Sequence, residues 1–223
     1  MSPKLAASTS SISDNSHSPS TDLYLESKLR TIRQADTVGA GAAVLAFLSG
    51  LAVVGAAGDV LRVYNETHLP AEHWLPLWPA DLNAAPTVAL VAAGAVVAAL
   101  NAVDVAFWHV GSLRARTALH QPLTLVLPLL SFIAALVAIS VYYAADASGA
   151  QDTALSWTCR WRDIPMSQEP RWGPLCAQSR AALYLAVMLV PLEAGALAVA
   201  AVSVKVQKYV ERYLEARKTP VLN

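Results

Sequence analysis

Charge is what this chain has least of. Asp, Glu, Lys and Arg together make up 14% of its 223 residues, where a soluble domain carries about 25%. The 16 basic and 16 acidic residues cancel, and a chain with no basic excess is not built to hold nucleic acid. Catalytic signatures are missing too. There is no glycine-rich phosphate loop, no Cys-x-x-Cys, no His-Glu-x-x-His and no Gly-x-Ser-x-Gly. Phosphate cradling, thiol redox chemistry, zinc hydrolysis and serine acyl transfer each lack their starting motif. The five histidines (His17, His68, His73, His109 and His120) are scattered. His68 and His73 share a loop with Glu66 and Glu72, which reads as a solvated loop rather than a metal site on ligand spacing. The sequence therefore predicts no enzyme, no cofactor and no metal centre.

What fills the chain instead is alanine, valine and leucine, with 55% of residues hydrophobic. Residues 1–22 are serine-rich and read as a disordered tail without the apolar core of a signal peptide. In 23–36, Leu25, Leu29 and Ile32 repeat at helical spacing beside Lys28, Arg30 and Arg33. That is a basic amphipathic helix suited to an anionic membrane surface. Four apolar runs follow, at about 38–60, 86–108, 122–145 and 181–204. The charge-free run Val38 to Gly58 spans roughly 30 Å at 1.5 Å per residue, the thickness of a bilayer core. The fold class predicted is all-α: a four-helix transmembrane domain over 37–205, followed by a cytoplasmic helix and tail over 206–223. The spans favour small residues, such as Gly94 and Ala98, or Gly55 and Gly58, which let helix backbones approach closely in lipid.

Four spans place both termini on one side. That side carries four Lys or Arg in the N-terminal tail, two in the loop between spans two and three (Arg114, Arg116) and five in the C-terminal tail; the opposite side carries five. The positive-inside rule puts the termini in the cytoplasm. Asn65-Glu66-Thr67, an N-glycosylation sequon, then falls outside. So do Cys159 and Cys176, the only cysteines, in a compartment where disulfides persist. A bridge between them would stabilise the second outside loop by about 3 kcal/mol. Trp157, Trp161 and Trp172 flank it, and the first outside loop carries Trp74 and Trp78 among Pro70, Pro76, Pro79 and Pro86. These rings read either as packing on the bridge and the other loop, or as a contact surface.

Polar side chains inside the spans are few. Glu193 lies about twelve residues into its span, near the midplane. The same depth count brings Ser49, Asn101 and Ser131 to its level, and puts Asp104 nearer the cytoplasmic face. Pro191 loosens the helix beside Glu193. The sequence predicts Glu193 facing the bundle interior, protonated and hydrogen-bonded within this layer, as a polar clamp or as part of an ion path.

Four spans, cytoplasmic tails and a bridged outside loop resemble the tetraspan membrane proteins: the MARVEL-type, claudin-like and fungal eisosome-type groups. Trp74 and Leu77-Trp78 echo the claudin-like first loop, which here lacks its two cysteines, whereas the pair in the second loop resembles the MARVEL arrangement. The Cys-Cys-Gly motif of true tetraspanins is absent. The resemblance implies membrane organisation, scaffolding or trafficking in the plasma membrane or secretory pathway. The partners expected are the bilayer itself and further copies or other membrane proteins, met through the tryptophan-rich loops. The competing expectation is a small transporter or channel working through Glu193, Asn101 and Asp104.

Overall fold

A computed structural model of the chain describes residues 19–68, 77–109, 117–149 and 151–218. Five helices account for most of them: α1 (Pro19–Thr67), α2 (Ala85–His109), α3 (Thr117–Ser148), α4 (Ala154–Arg160) and α5 (Trp172–Lys218). All but α4 contain a stretch long and apolar enough to cross a membrane: Arg33–Thr67, Ala85–His109, Leu123–Ser148 and Trp172–Val210. The protein is a membrane-embedded, all-helical bundle of tetraspan architecture. Around the bundle α1 touches α2 and α5, and α3 touches the same two, so α2 and α5 face each other across the diagonal.

Two helices are much longer than a bilayer requires. The 49 residues of α1 measure about 73 Å at 1.5 Å per residue. No glycine or proline separates Asp36 from Val38, so the basic segment 23–36 and the first span form one unbroken helix. The boundary drawn at residue 36 is not a helix boundary. The C-terminal segment likewise continues α5 to Lys218 without a break. Both overhangs project at the end that carries the termini, here the terminal end. The opposite, loop end is where α1 leads to α2 and α3 leads through α4 to α5.

Helix ends at the loop end are set by side chains and one glycine. Asn83 Oδ1 accepts from the Ala85 amide at 3.1 Å to start α2, and Pro86 follows with no N–H to satisfy. Gly149, at φ +56°, takes the left-handed position that stops α3. Thr153 and Ser156 form a capping box on α4, each hydroxyl accepting from the other's amide, at 3.2 and 2.9 Å.

The packing is inverted relative to a soluble bundle. The interior is lined by small residues, including Ala46, Ala57, Ala135, Ala138, Ala182 and Ala186, while Leu45, Leu48, Leu51, Leu129, Leu130 and Met188 point outward. Lipid tails solvate large side chains as well as a core would, so close backbone packing is what remains to hold the helices together. The closest approach is between α1 and α2. A Cβ placed on Gly50 would meet the Gly94 carbonyl oxygen at 2.9 Å and the Ala98 amide nitrogen at 3.0 Å. Gly55 and Gly58, by contrast, have nothing within 4 Å of that position.

A small second core caps the loop end. Val60, Val63, Trp78, Ala154, Trp172 and Leu175 bury one another there. Trp78 sits edge-on to both Tyr64 and Trp172, with ring centroids 5.1 Å apart in each pair. Its indole N–H donates to Thr67 Oγ1 at 2.8 Å. Cys159 on α4 and Cys176 on α5 form a disulfide with Cα atoms 4.8 Å apart. The Asn83 amide donates to the Asp152 carbonyl at 2.9 Å, and the Trp157 indole donates to the Leu77 carbonyl at 3.3 Å. The two connections are thereby tied to each other.

Candidate intramembrane polar site

Three helices each place one polar side chain at the same point in the bundle. Glu193 on α5 is 0% exposed, Ser131 on α3 1% and Asn101 on α2 5%. Asn101 Nδ2 donates to Glu193 Oε1 at 2.8 Å and to the Val97 carbonyl at 2.9 Å, with Ser131 Oγ further off at 3.4 Å. An amide nitrogen has two hydrogens for these three acceptors, so the two short bonds carry most of the energy. The Asn101–Glu193 bond crosses the diagonal of the bundle, where the backbones of α2 and α5 meet least. Glu193 Oε2 is buried with no hydrogen-bond partner, which is costly in hydrocarbon.

Ser49 does not join this group. It is half-buried on α1 and, among the described residues, hydrogen-bonds none of the three. Depth along a helix fixes the layer but not the direction around the axis. Successive residues turn by about 100°, and it is Gly50, the next residue, that faces α2. Asp104 is half-buried one turn beyond Asn101, on the same face of α2.

On the terminal side of the layer the four helices enclose a cavity of about 100 Å³. Asn101 and Ser131 form its inner end, and Asp36, Asp104, Thr124 and Ser203 contribute polar groups further out. On α5 the lining residues Ala196, Ala200 and Ser203 fall on the face that Glu193 occupies, three, seven and ten residues on. Asp36 and Ser203 had no place in the sequence-based layer, because each lies near a span end where polar residues are ordinary. Only the three-dimensional convergence of the helices shows that they share a space with Asn101.

On the loop side the layer is closed. Val53, Leu90, Val97, Ala135, Ala138, Ala186 and Leu189 form the apolar core above it. The space left among Val53, Leu90, Val97, Ala138 and their neighbours is about 10 Å³, at the lower limit for a single water.

Comparison with protein-family models, curated proteins and solved structures finds no match to this chain. The likeness to tetraspan proteins therefore rests on the four spans.

The remaining residues singled out by sequence lie around the loop end or beyond the described residues. Trp172 and Trp78 are buried in the cap, Trp157 is half-buried and Trp161 is exposed. Asn65 is exposed on the last turn of α1, while Thr67 of the same sequon both donates to the Val63 carbonyl and accepts from Trp78. Glu66 pairs with Arg62 at 2.9 Å, and His68 packs on Tyr64 with ring centroids 4.9 Å apart. Glu72, His73 and Trp74 lie outside the described residues, as do Arg114, Arg116 and the tail up to residue 18.

Proposed function

We infer that this membrane protein is non-enzymatic and organises its neighbours, as a scaffold or trafficking component of the plasma membrane or secretory pathway. Both termini lie in the cytoplasm, and its loop end meets other membrane proteins or further copies of the chain. The observation that carries this reading is the cap. A disulfide, a boxed short helix and the Tyr64–Trp78–Trp172 stack build a braced surface from what would otherwise be two loose connections. A surface ordered in advance loses less entropy on binding. Its outer face presents Trp161 and Ile164 beside Arg160 and Arg162, all exposed, a mixture typical of protein contact sites. Asn65 faces outward at the same end, and a glycan there suits an outside location. Since Thr67 is engaged by Trp78, the sugar would be attached before the cap closes.

The polar layer supports the same reading. A transporter or channel through Glu193, Asn101 and Asp104 needs a wet path past the layer, whereas the loop side is packed with apolar side chains. A hydrogen-bonded clamp needs only the contacts described. Proximity labelling from the cap in intact cells, with wild-type protein and with Trp161→Ser/Ile164→Ser, tests the proposal. Enrichment of a defined set of membrane proteins or of the chain itself, lost in the double variant, is expected. Glu193-dependent ion flux in liposomes would overturn it.

A further inference from the structure

The two helix overhangs at the terminal end carry a band of unpaired positive charge. On α5, Lys205, Lys208, Tyr209 and Arg212 stand at i, i+3, i+4 and i+7, along one face of the helix. All four are exposed, Tyr209 by 73%. On α1, Arg30 and Arg33 are exposed as well. None of these five cations forms an ion pair with a described residue. Between Glu193 and Glu211 α5 has no acidic residue, and from Ser27 to Ala35 α1 has none. Asp36 lines the cavity between the helices and is already engaged.

Depth decides what these charges meet. Gly39 on α1 sits against α5, where a Cβ built on it would lie 3.8 Å from Val199 Cγ1. The two helices run in opposite directions, so equal steps from that contact keep equal depth. Six residues outward, Arg33 is level with Lys205; nine outward, Arg30 is level with Lys208. Glu193 lies within two residues of the middle of the apolar stretch Trp172–Val210. Counted from there at 1.5 Å per residue, Lys205 and Lys208 stand about 18 and 22 Å from the midplane. The apolar core of a bilayer ends at about 15 Å and its headgroups at about 20–22 Å. Two pairs of cations therefore flank α1 and α5 at headgroup depth, with Arg212 just beyond. At about 100° per residue, all four lie about 120–180° around their helices from the Gly39–Val199 contact. They point into the surrounding lipid, not at each other.

We propose that this band binds the anionic headgroups of phospholipids in the leaflet at the terminal end, so that the protein gathers such lipids around α1 and α5. Lysine and arginine supply charge-assisted hydrogen bonds to phosphate and carboxylate oxygens, and Tyr209 adds an aromatic ring at the depth where such rings anchor. The loop end differs. Arg62 is held by Asp59 and Glu66, each at 2.9 Å, Arg160 by Asp152 and Arg162 by Asp163. Among the described residues only Arg171 and Arg180 remain unpaired there, so the preference belongs mainly to one leaflet.

The test reconstitutes the full-length protein in phosphatidylcholine vesicles holding a trace of spin-labelled lipid. Electron paramagnetic resonance gives the association constant of labelled phosphatidylserine at the protein surface relative to labelled phosphatidylcholine. One cation at the surface favours an anionic lipid about fivefold, so a selectivity of that order is expected. It should fall toward unity as salt rises from about 0.05 to about 0.5 M, because exposed charges are screened. Arg30→Gln, Arg33→Gln, Lys205→Gln, Lys208→Gln and Arg212→Gln combined should bring it close to unity, whereas Arg171→Gln with Arg180→Gln should leave most of it. Equal association of the two lipids with the wild-type protein would overturn the proposal and assign the band to an acidic protein segment instead. Selectivity undiminished in the folded five-site variant, or lost with Arg171 and Arg180, would overturn it too. The wild-type comparison and its salt series stand even if a variant does not fold.

Discussion

Substituting alanine for glycine at four places along the α1–α2 pair should give graded outcomes from one chemical change. At Gly50 the added methyl would lie 2.9 Å from the Gly94 oxygen, 3.0 Å from the Ala98 nitrogen and 3.2 Å from the Ala98 Cβ. Carbon contacts are comfortable at about 3.5 Å or more, so the helices must part by about 0.5 Å. None of the three atoms belongs to a side chain that can swing away. Overpacking of this kind costs about 1–3 kcal/mol. At Gly94 the new methyl meets the Gly50 oxygen, Val53 Cγ1 and Val54 Cγ2, each at 3.1 Å, and two of these can yield, so the cost is smaller. Gly55 and Gly58 have open space at the same position. There alanine is neutral or stabilises by up to about 1 kcal/mol through helix propensity. Because propensity is common to all four variants, the difference between Gly50→Ala and Gly55→Ala isolates the contact. Reversible unfolding in mixed micelles of rising dodecyl sulfate content measures it. Stability should rank Gly50→Ala lowest, then Gly94→Ala, with Gly55→Ala and Gly58→Ala at or above wild type. If Gly50→Ala and Gly55→Ala unfold together, the crossing at Gly50 is refuted.

Three further outcomes are expected. Glu193→Gln keeps an oxygen for Asn101 Nδ2 and should unfold within about 0.5 kcal/mol of wild type, whereas Glu193→Leu strands that donor and should lose about 1–3 kcal/mol in the same assay; equal losses would argue against the clamp. Cys159→Ser opens a link across 17 residues and should lower the stability of the cap by about 3 kcal/mol, seen as faster proteolysis around α4, with the spans still protected. Protease added to intact cells should spare both tails and leave the chain's endoglycosidase sensitivity to depend on Asn65; tail cleavage without permeabilisation would reverse the orientation.

What could be read from the sequence follows from which physical constraint acted alone. Lipid demands about twenty apolar residues per span, so the four spans stand out without any periodicity. With only two cysteines there was a single pairing to consider, and the disulfide is where that pairing puts it. Other features needed two constraints at once. A depth count brings Ser49 level with Glu193, but the turn of the helix sends Ser49 elsewhere and turns Gly50 toward α2. Small residues at Gly55 and Gly58 look like a packing edge in one dimension, yet face open space. In a chain this rich in alanine and glycine, one-dimensional spacing cannot tell a contact from a coincidence. The cavity was hidden for the same reason: its walls come from four helices, and no two wall residues on different helices are related by any sequence interval.

The Gly50–Gly94 contact also accounts for the difference between the two ends of the bundle. Helices that touch closely at one point and cross at an angle must diverge on either side of it. Toward the loop end the gap so created is filled: Trp78 and Trp172, the bulkiest side chains available, are buried there beside Val60 and Val63. Toward the terminal end Phe107 and Trp108 line the space from α2 without filling it. On α1 and α5 the wall is made largely of Gly39, Ala40, Ala43, Ala196 and Ala200, too small to close the space, and the cavity is what remains. The closed cap and the open cavity are thus two consequences of one crossing. Enlarging Gly50 should therefore disturb both, loosening the Trp78 stack at one end and reshaping the cavity at the other, although neither contains residue 50. A Gly50→Ala protein that melts earlier yet keeps an unchanged cap and an unchanged cavity would show that the two ends are built independently.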